Sequence, residues 1–379
     1  MRAPVGLYVH LPFCAAKCAY CDFSSFAGLL HLRAAYIQAV VAEIARRGAV
    51  TGMLAADSLF LGGGTPSLMA ADQLAQIFRQ LRASYRILPD AEITCEANPG
   101  TLSSQWLEDM VALGVNRLSL GAQSAHEGEL RELGRPHSWA QVEAAVRLAR
   151  AQGLSNLNLD LMSALPGQTW DRLRHSLDSA LALRPTHLSV YSLIIEPGTP
   201  FFERHQAGQL NLPDEEEERQ LYWNTVAHLE RAGYRQYEIS NFCLPGFECR
   251  HNLNCWRYHE LLGFGSSAGG MWGHERRKNP DSLQDYLAGQ PPQLERLSPR
   301  DRRFEQVMLA LRLKEGLSLR AFEQAQGLPL EKAFPGALAR QLAGGLVELR
   351  DHHLRLTRAG FDLMDRVLLD FLPDEGPPA

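Results

Sequence analysis

Several things are scarce in this chain, and each absence excludes something. Seven cysteines in 379 residues are too few for a disulfide scaffold, and an odd number leaves one unpaired. Neither sign of charge dominates: 38 Lys and Arg stand against 43 Asp and Glu, a formal charge of −5. Long-range attraction to nucleic acid or anionic lipid is therefore not expected. No uninterrupted apolar run approaches the ~18–20 residues that cross a bilayer. Met1-Arg2-Ala3-Pro4 lacks the basic-then-apolar build of a signal peptide. The expected location is the cytoplasm.

What is present has an ordinary globular balance, 45% hydrophobic and 21% charged. The length accommodates one barrel of roughly 200–250 residues and a smaller module. Up to about residue 196, short β-branched or alternating runs are separated by longer segments with helical apolar spacing. The strand candidates are Leu7–His10, Ser58–Leu61, Glu92–Cys95, Arg117–Leu120, Asn156–Leu161 and His187–Leu193. Helices are expected near 32–47, 71–83, 103–113, 138–152 and 169–182. Six such crossover units predict an α/β fold with a partial, six-stranded parallel β/α barrel. A doubly wound open sheet gives a similar string, and the polar residues at the strand ends decide for the barrel. They are His10, Gly62-Gly63-Gly64-Thr65-Pro66, Glu96-Ala97-Asn98-Pro99, Gly121-Ala122-Gln123-Ser124, Asp160 and Glu196-Pro197-Gly198, which would gather at one mouth.

The expected division is a barrel over 1–235, a connecting region over 236–300, a smaller C-terminal α+β, winged-helix-like domain over 301–372 and a disordered tail at 373–379. Within it, Pro213–Gly233 reads as a helix opening on Asp214 with Glu215–Glu218 in its first turn, a solvated face. From about 303 onward three helical segments, a hairpin over 345–357 and a final helix, Arg358–Phe371, follow. A DNA-binding winged helix would need a basic face with reading elements, so a structural or docking module is expected.

The cysteines are clustered. Cys14, Cys18 and Cys21 fall within eight residues directly after the first strand, Cys243, Cys249 and Cys255 form a looser group, and Cys95 stands alone. Zinc wants four ligands, which His10 or a distant cysteine could complete. Three thiolates on a [4Fe–4S] cube would instead leave one iron open to substrate. The Gly62–Gly64 turn lets backbone N–H groups approach a ligand closely, although such turns also occur as plain tight turns.

Taken together, the three-cysteine segment, Gly62-Gly63-Gly64-Thr65-Pro66 and Glu96-x-x-Pro99 resemble the signature of the radical S-adenosylmethionine (SAM) superfamily. The chain resembles the HemN/HemW branch of it nearly end to end. The resemblance implies a [4Fe–4S] cluster on Cys14, Cys18 and Cys21, with SAM chelated at the open iron and cleaved to a 5′-deoxyadenosyl radical. Matching positions imply SAM contacts from Gly63, Gly64, Thr65, Glu96, Gln123, Arg135 and Asp160, with Tyr8 and Tyr20 flanking the cluster.

The branch contains an oxygen-independent coproporphyrinogen III dehydrogenase and a haem chaperone. Here Cys21 is followed by Asp22-Phe23 where the dehydrogenase pattern has Gly-Cys, and only six residues precede Leu7 where the dehydrogenase has a long N-terminal extension. Both differences favour the chaperone. His251-Asn252-Leu253-Asn254-Cys255-Trp256 resembles an HNxxYW motif with Cys255 in place of Tyr. It implies His251 as a haem contact, with Trp256 able to stack on the porphyrin. Ala164 replaces a glycine frequent in related chains. The implied cofactors are the cluster, SAM and haem. The implied partners are haem, apo-haemoproteins of the respiratory chain, including membrane-bound ones, and an electron donor, with peripheral attachment at the inner membrane left open. The alternative activity is the porphyrinogen dehydrogenase, and no residue is singled out as catalytic.

Overall fold

Alternation of aliphatic residues with polar or aromatic ones builds the central sheet. In the computed structural model, which describes residues 3–372, six parallel strands run in sequence order: β1 (Val5–Leu11), β2 (Ala55–Gly63), β3 (Arg86–Ala97), β4 (Arg117–Gln123), β5 (Asn156–Ser163) and β6 (His187–Ser192). They alternate with helices α1 (Arg33–Thr51), α2 (Ala71–Ser84), α3 (Ser104–Ala112), α4 (Trp139–Ala151) and α5 (Trp170–Ala182). Each strand pairs in parallel with the next, whereas a doubly wound sheet would reverse its strand order partway. The result is a partial α/β barrel that does not close.

One set of alternate residues, including Leu7, Val9, Leu59, Leu61, Leu118, Leu120, Leu157 and Leu159, is fully buried against the helices. The other set faces the lumen and is polar or aromatic: Tyr8 and His10, Phe60, Thr94 and Glu96, Arg117 and Ser119, Asn158 and Asp160. Strand register places Tyr8 beside Phe60, Phe60 beside Thr94 and Thr94 beside Arg117. One layer nearer the mouth, Glu96, Ser119, Asn158 and His187 follow one another in the same way. Every strand except β6 is longer than the sequence pattern suggested, because charged and glycine residues at their ends continue the backbone ladder.

The segment after residue 236 departs from expectation. Instead of merely connecting, it extends the sheet at both edges. Strand β7 (Asn241–Cys243) runs antiparallel beside β6, and β8 (Leu261–Phe264) runs parallel beside β1. Three antiparallel strands, Gly269–Trp272, Glu275–Lys278 and Gln293–Arg296, continue that edge, and Arg235–Gln236 lies antiparallel beyond β7, to make a 12-stranded sheet. Its glycines obscured the strand pattern, yet they permit the pairing: a Cβ on Gly263 would overlap the backbone of Gly269.

Helix α6 (Glu215–Arg231) opens with a reciprocal cap. Asp214 accepts from the Glu217 N–H at 2.8 Å while the Glu217 carboxylate accepts from the Asp214 N–H at 3.0 Å. Beyond it, four helices from Pro299 to Ala343 and a hairpin of Val347–Arg350 with His353–Leu356 enclose a second core around Val307, Phe322, Phe334 and Phe371. The final helix is two pieces, Arg358–Asp362 and Met364–Leu369, where one was expected. Trp223 of α6 donates from Nε1 to Asp362 at 2.9 Å and so ties this unit to the barrel. The expected disordered tail lies outside the described residues. Among those described, no helix is long and apolar enough to cross a membrane.

Candidate cluster and cofactor site

The cysteine loop leaves β1 and is fixed by backbone bonds on both sides. Phe13 and Cys14 pair in parallel with Phe26 and Ala27, Cys21 closes a turn onto the Cys18 carbonyl at 3.3 Å, and the Ala19 N–H donates to Leu133 at 2.9 Å. Cys18 is buried, Cys14 and Cys21 are half-buried, and all three are free thiols. Thr65 Oγ1 points a hydroxyl at Cys14 Sγ, 3.7 Å away, and Arg135 Nη1 donates to Cys18 Sγ at 3.3 Å. Burial pushes the Cys21 thiol up in pKa; a backbone N–H from Phe23 opposes this, and Cys18 and Cys14 add to it.

His10 is not available to complete a zinc site. Its Nδ1 shares a hydrogen bond with Tyr8 Oη at 2.9 Å and its Nε2 one with the Ser24 carbonyl at 2.8 Å. Among the described residues, no three His, Cys, Asp or Glu side chains converge on a point one metal ion could fill. A cube makes no such demand, since each thiolate binds a different iron. The donor set fits it chemically: three unpaired thiols on one loop, with a half-buried Arg135, whose Nε has no partner among the described residues, set against them.

The glycine turn is a backbone junction. Gly63 adopts φ +106°, and a Cβ there would strike the His10 ring. A Cβ on Gly64 would come within 2.7 Å of the Leu11 oxygen and of Phe13 N and O. That contact is what lets Gly64 N donate to Leu11 at 2.9 Å and Thr65 N to Phe13 at 2.7 Å, seating the turn against the cysteine loop. The Gly63 N–H is also engaged, to Glu96 Oε2 at 3.0 Å. The N–H groups expected to face a ligand are therefore used within the protein.

Two carboxylates stand in the mouth. Burial, reinforced by Asp160, pushes Glu96 up to about 8, and burial raises Asp160 as well. Asp160 is held by Ser119 at 3.1 Å and Asn158 at 2.7 Å. A pair of partly desolvated carboxylates favours a cationic ligand, which would lower both pKa values. Beside them, β4 carries a register irregularity between Gly121 and Gln123, with Gln123 at φ 65°. A side chain at Gly121 would collide with Arg135 and Gln123, so this glycine brings both to the mouth. Tyr20 is raised in pKa by burial and lies in the field of Arg135, Cys18, Cys21 and Asp160. Ala164 takes φ 58°, the conformation glycine adopts without cost.

The motif helix, α7 (Arg250–Trp256), closes the barrel floor. Glu92 of β3 caps it, accepting from the N–H groups of Arg250 at 3.0 Å and His251 at 3.1 Å and from the Cys249 thiol at 3.3 Å. His251 is 5% exposed, its ring 5.2 Å from Phe60 and 6.3 Å from Tyr8. Asn254 donates to Ser58 Oγ at 3.2 Å, and the Ser58 hydroxyl in turn bonds His251 Nδ1 at 3.1 Å. Burial pushes His251 down to about 4, so the ring is neutral. Asn252, Cys255 and Trp256 instead line a cavity of about 1310 Å³ bounded by β6, α6, residues 238–241 and the C-terminal unit. His251 and Trp256, expected to share a site, thus face different compartments, because five residues at ~100° per residue span most of one and a half turns.

The structure brings Cys14, Cys18, Cys21, Thr65 and Arg135 together, and near them Gly63, Gly64, Glu96, Gln123, Asp160, Tyr8 and Tyr20 around the lumen. Sequence reasoning missed Glu92, Ser58, Ser119 and Asn158, whose only signal was polarity at lumen-facing strand positions. Radical SAM superfamily similarity covers residues 8–180, and residues 297–363 match the HemN C-terminal domain. The chain is 35% identical to the heme chaperone HemW of Bacillus subtilis (strain 168) over 96% of this chain and 98% of that protein. It is 39% identical to the heme chaperone HemW of Escherichia coli (strain K12) over 70% of each. The solved structure of coproporphyrinogen III oxidase (HemN) from Escherichia coli, a radical SAM enzyme, superposes with a TM-score of 0.84 at 26% identity, covering 98% of this chain and 90% of that one. A cysteine loop on an unclosed β/α barrel, a second core matching the HemN C-terminal domain and end-to-end similarity to HemW proteins agree: the chain belongs to the HemW family of the radical SAM superfamily.

Proposed function

We propose that this protein is a haem chaperone that holds a [4Fe–4S] cluster and SAM, takes up haem and passes it to apo-haemoproteins, those of the respiratory chain included. The observation that carries this is the motif helix. In a chain similar end to end to heme chaperones, it opens a cavity of about 1310 Å³ beside the lumen, room enough for a macrocycle.

Cys14, Cys18 and Cys21 would hold three irons, and Arg135 offsets charge on Cys18. Glu96 and Asp160 receive the cationic amine and the ribose of SAM, while Gly63, Gly64, Thr65, Gln123, Tyr8 and Tyr20 shape its pocket. When bound, the cluster and SAM supply one-electron chemistry, for which an external electron donor is needed. Residues 1–235 form the cofactor unit, 236–300 carry the motif helix, and 301–372 wall the cavity and offer a docking face. The protein works in the cytoplasm and meets membrane-bound recipients at the inner membrane. His251 and Trp256 are the motif's haem contacts by resemblance, and Trp256 is the one placed on the cavity.

The alternative, a porphyrinogen dehydrogenase, draws on the likeness to HemN. Anaerobic incubation of reconstituted protein with SAM, reductant and coproporphyrinogen III separates the two. Haem binding without protoporphyrinogen is expected, and protoporphyrinogen formation would overturn the chaperone assignment.

A further inference from the structure

The cavity beside the motif helix contains polar atoms that nothing among the described residues satisfies. Trp256 Nε1, Arg312 Nε and Asn241 Oδ1 are all buried without a hydrogen-bond partner, and all three residues line the cavity. Asn241 is 2% exposed. Folded proteins pair roughly 90% or more of such atoms, so three around one cavity mark a place where a ligand or ordered water completes the bonding. Two of the three are donors on adjoining groups, since the Arg312 guanidinium lies 4.6 Å over the Trp256 ring. Two adjoining donors, one of them cationic, suit a carboxylate.

A second arginine repeats the arrangement. Arg358 lies 4.5 Å over the ring of Trp223, on the same cavity. Neither Arg312 nor Arg358 forms an ion pair among the described residues, whereas Arg219 nearby is bound to Asp362 at 3.2 Å. The cavity also carries Glu215, Glu216 and Glu218 from the first turn of α6, and Glu238, which lies in the field of Arg312. A small free anion is therefore not drawn in by net charge. A ligand must be held by shape: a flat body against indole, with two carboxylates reaching two separate guanidinium groups.

We propose that this cavity is the haem site, with one propionate held by Arg312 and Trp256 Nε1 and the other by Arg358 on Trp223. This rests on the haem-chaperone assignment and deepens it by naming the carboxylate anchors. The pocket lies against the lumen at Tyr191, which lines the cavity and is within the field of Asp160 and Glu96. A macrocycle seated here would therefore stand next to the SAM pocket and outside it.

The test is an anaerobic spectral titration of the full chain, cluster loaded, with haem and with haem dimethyl ester, whose propionates are blocked. The wild-type protein is expected to bind the ester about tenfold or more weakly, the usual weight of a charge-assisted carboxylate contact. Arg312→Gln and Arg358→Gln should each weaken haem by about tenfold while leaving the ester unaffected, and Arg312→Lys should recover part of the loss. Cluster absorbance reports that each variant is folded. Equal wild-type affinity for haem and ester, or equal losses for both ligands in the variants, would overturn the anchors while leaving the chaperone assignment standing. Failure to bind either ligand would overturn both.

Discussion

Glu92 offers the sharpest test of how the barrel positions the motif helix. Its two carboxylate oxygens take the first N–H groups of α7, from Arg250 and His251, and the Cys249 thiol besides. Glu92 also lies in the field of Arg117, a fully buried cation whose Nε has no partner among the described residues. Glu92→Ala removes the cap and that charge together. Hydrogen bonds to a charged acceptor contribute about 1.5–3 kcal/mol each. Local opening of a seven-residue helix that has lost its cap should therefore become more frequent by on the order of 10- to 100-fold. Glu92→Gln keeps one acceptor and loses the charge, so its effect should fall between wild type and alanine. Native-state amide hydrogen exchange of a peptide spanning 250–256 reads this directly, with peptides from α2 as the internal reference. Unchanged protection of Arg250 and His251 in the alanine variant would refute the cap as the device that fixes the motif.

Cys18→Ala should abolish the cluster's visible absorbance after anaerobic reconstitution, while Cys255→Ala retains it, because only Cys18 belongs to the loop facing Arg135. Gly64→Ala should leave a folded protein with depressed iron and sulfide content, since its methyl group would press on Leu11 and Phe13 and displace Cys14. Trp256→Ala should weaken haem in spectral titration more than His251→Ala does; the reverse order would place the macrocycle in the lumen. His251 titrates near 4 in the fold against 6.5 when unfolded, so the unfolded chain binds the extra proton between those values and stability falls as pH drops through that window. Its share is up to about 3 kcal/mol. Glu96 and Glu238, raised to about 8 and about 7, act in the opposite direction, so the comparison is the denaturation curve of wild type minus that of His251→Asn across pH 4–7.

The parallel barrel strands and their helices were legible because each strand is one-sided, with leucines against the helices and polar residues toward the lumen. The cysteine loop was legible because three thiols at short spacing directly after a strand are a local property of the sequence. The strands after residue 236 were not: β8 is Leu-Leu-Gly-Phe, and its glycine, needed for close approach to Gly269, reads locally as a loop.

Residues 14, 18 and 21, the strand-end polar set and the family itself were therefore determined by the chain's order alone. Only the folded molecule decided that Glu92, from a strand about 160 residues away, caps the motif helix, that His251 turns into the barrel floor, and that Trp256 stacks with Arg312 on the lining of a cavity. The physical reason is that spacing along the chain encodes local geometry, whereas which face of a short helix is buried depends on the partners tertiary packing brings to it.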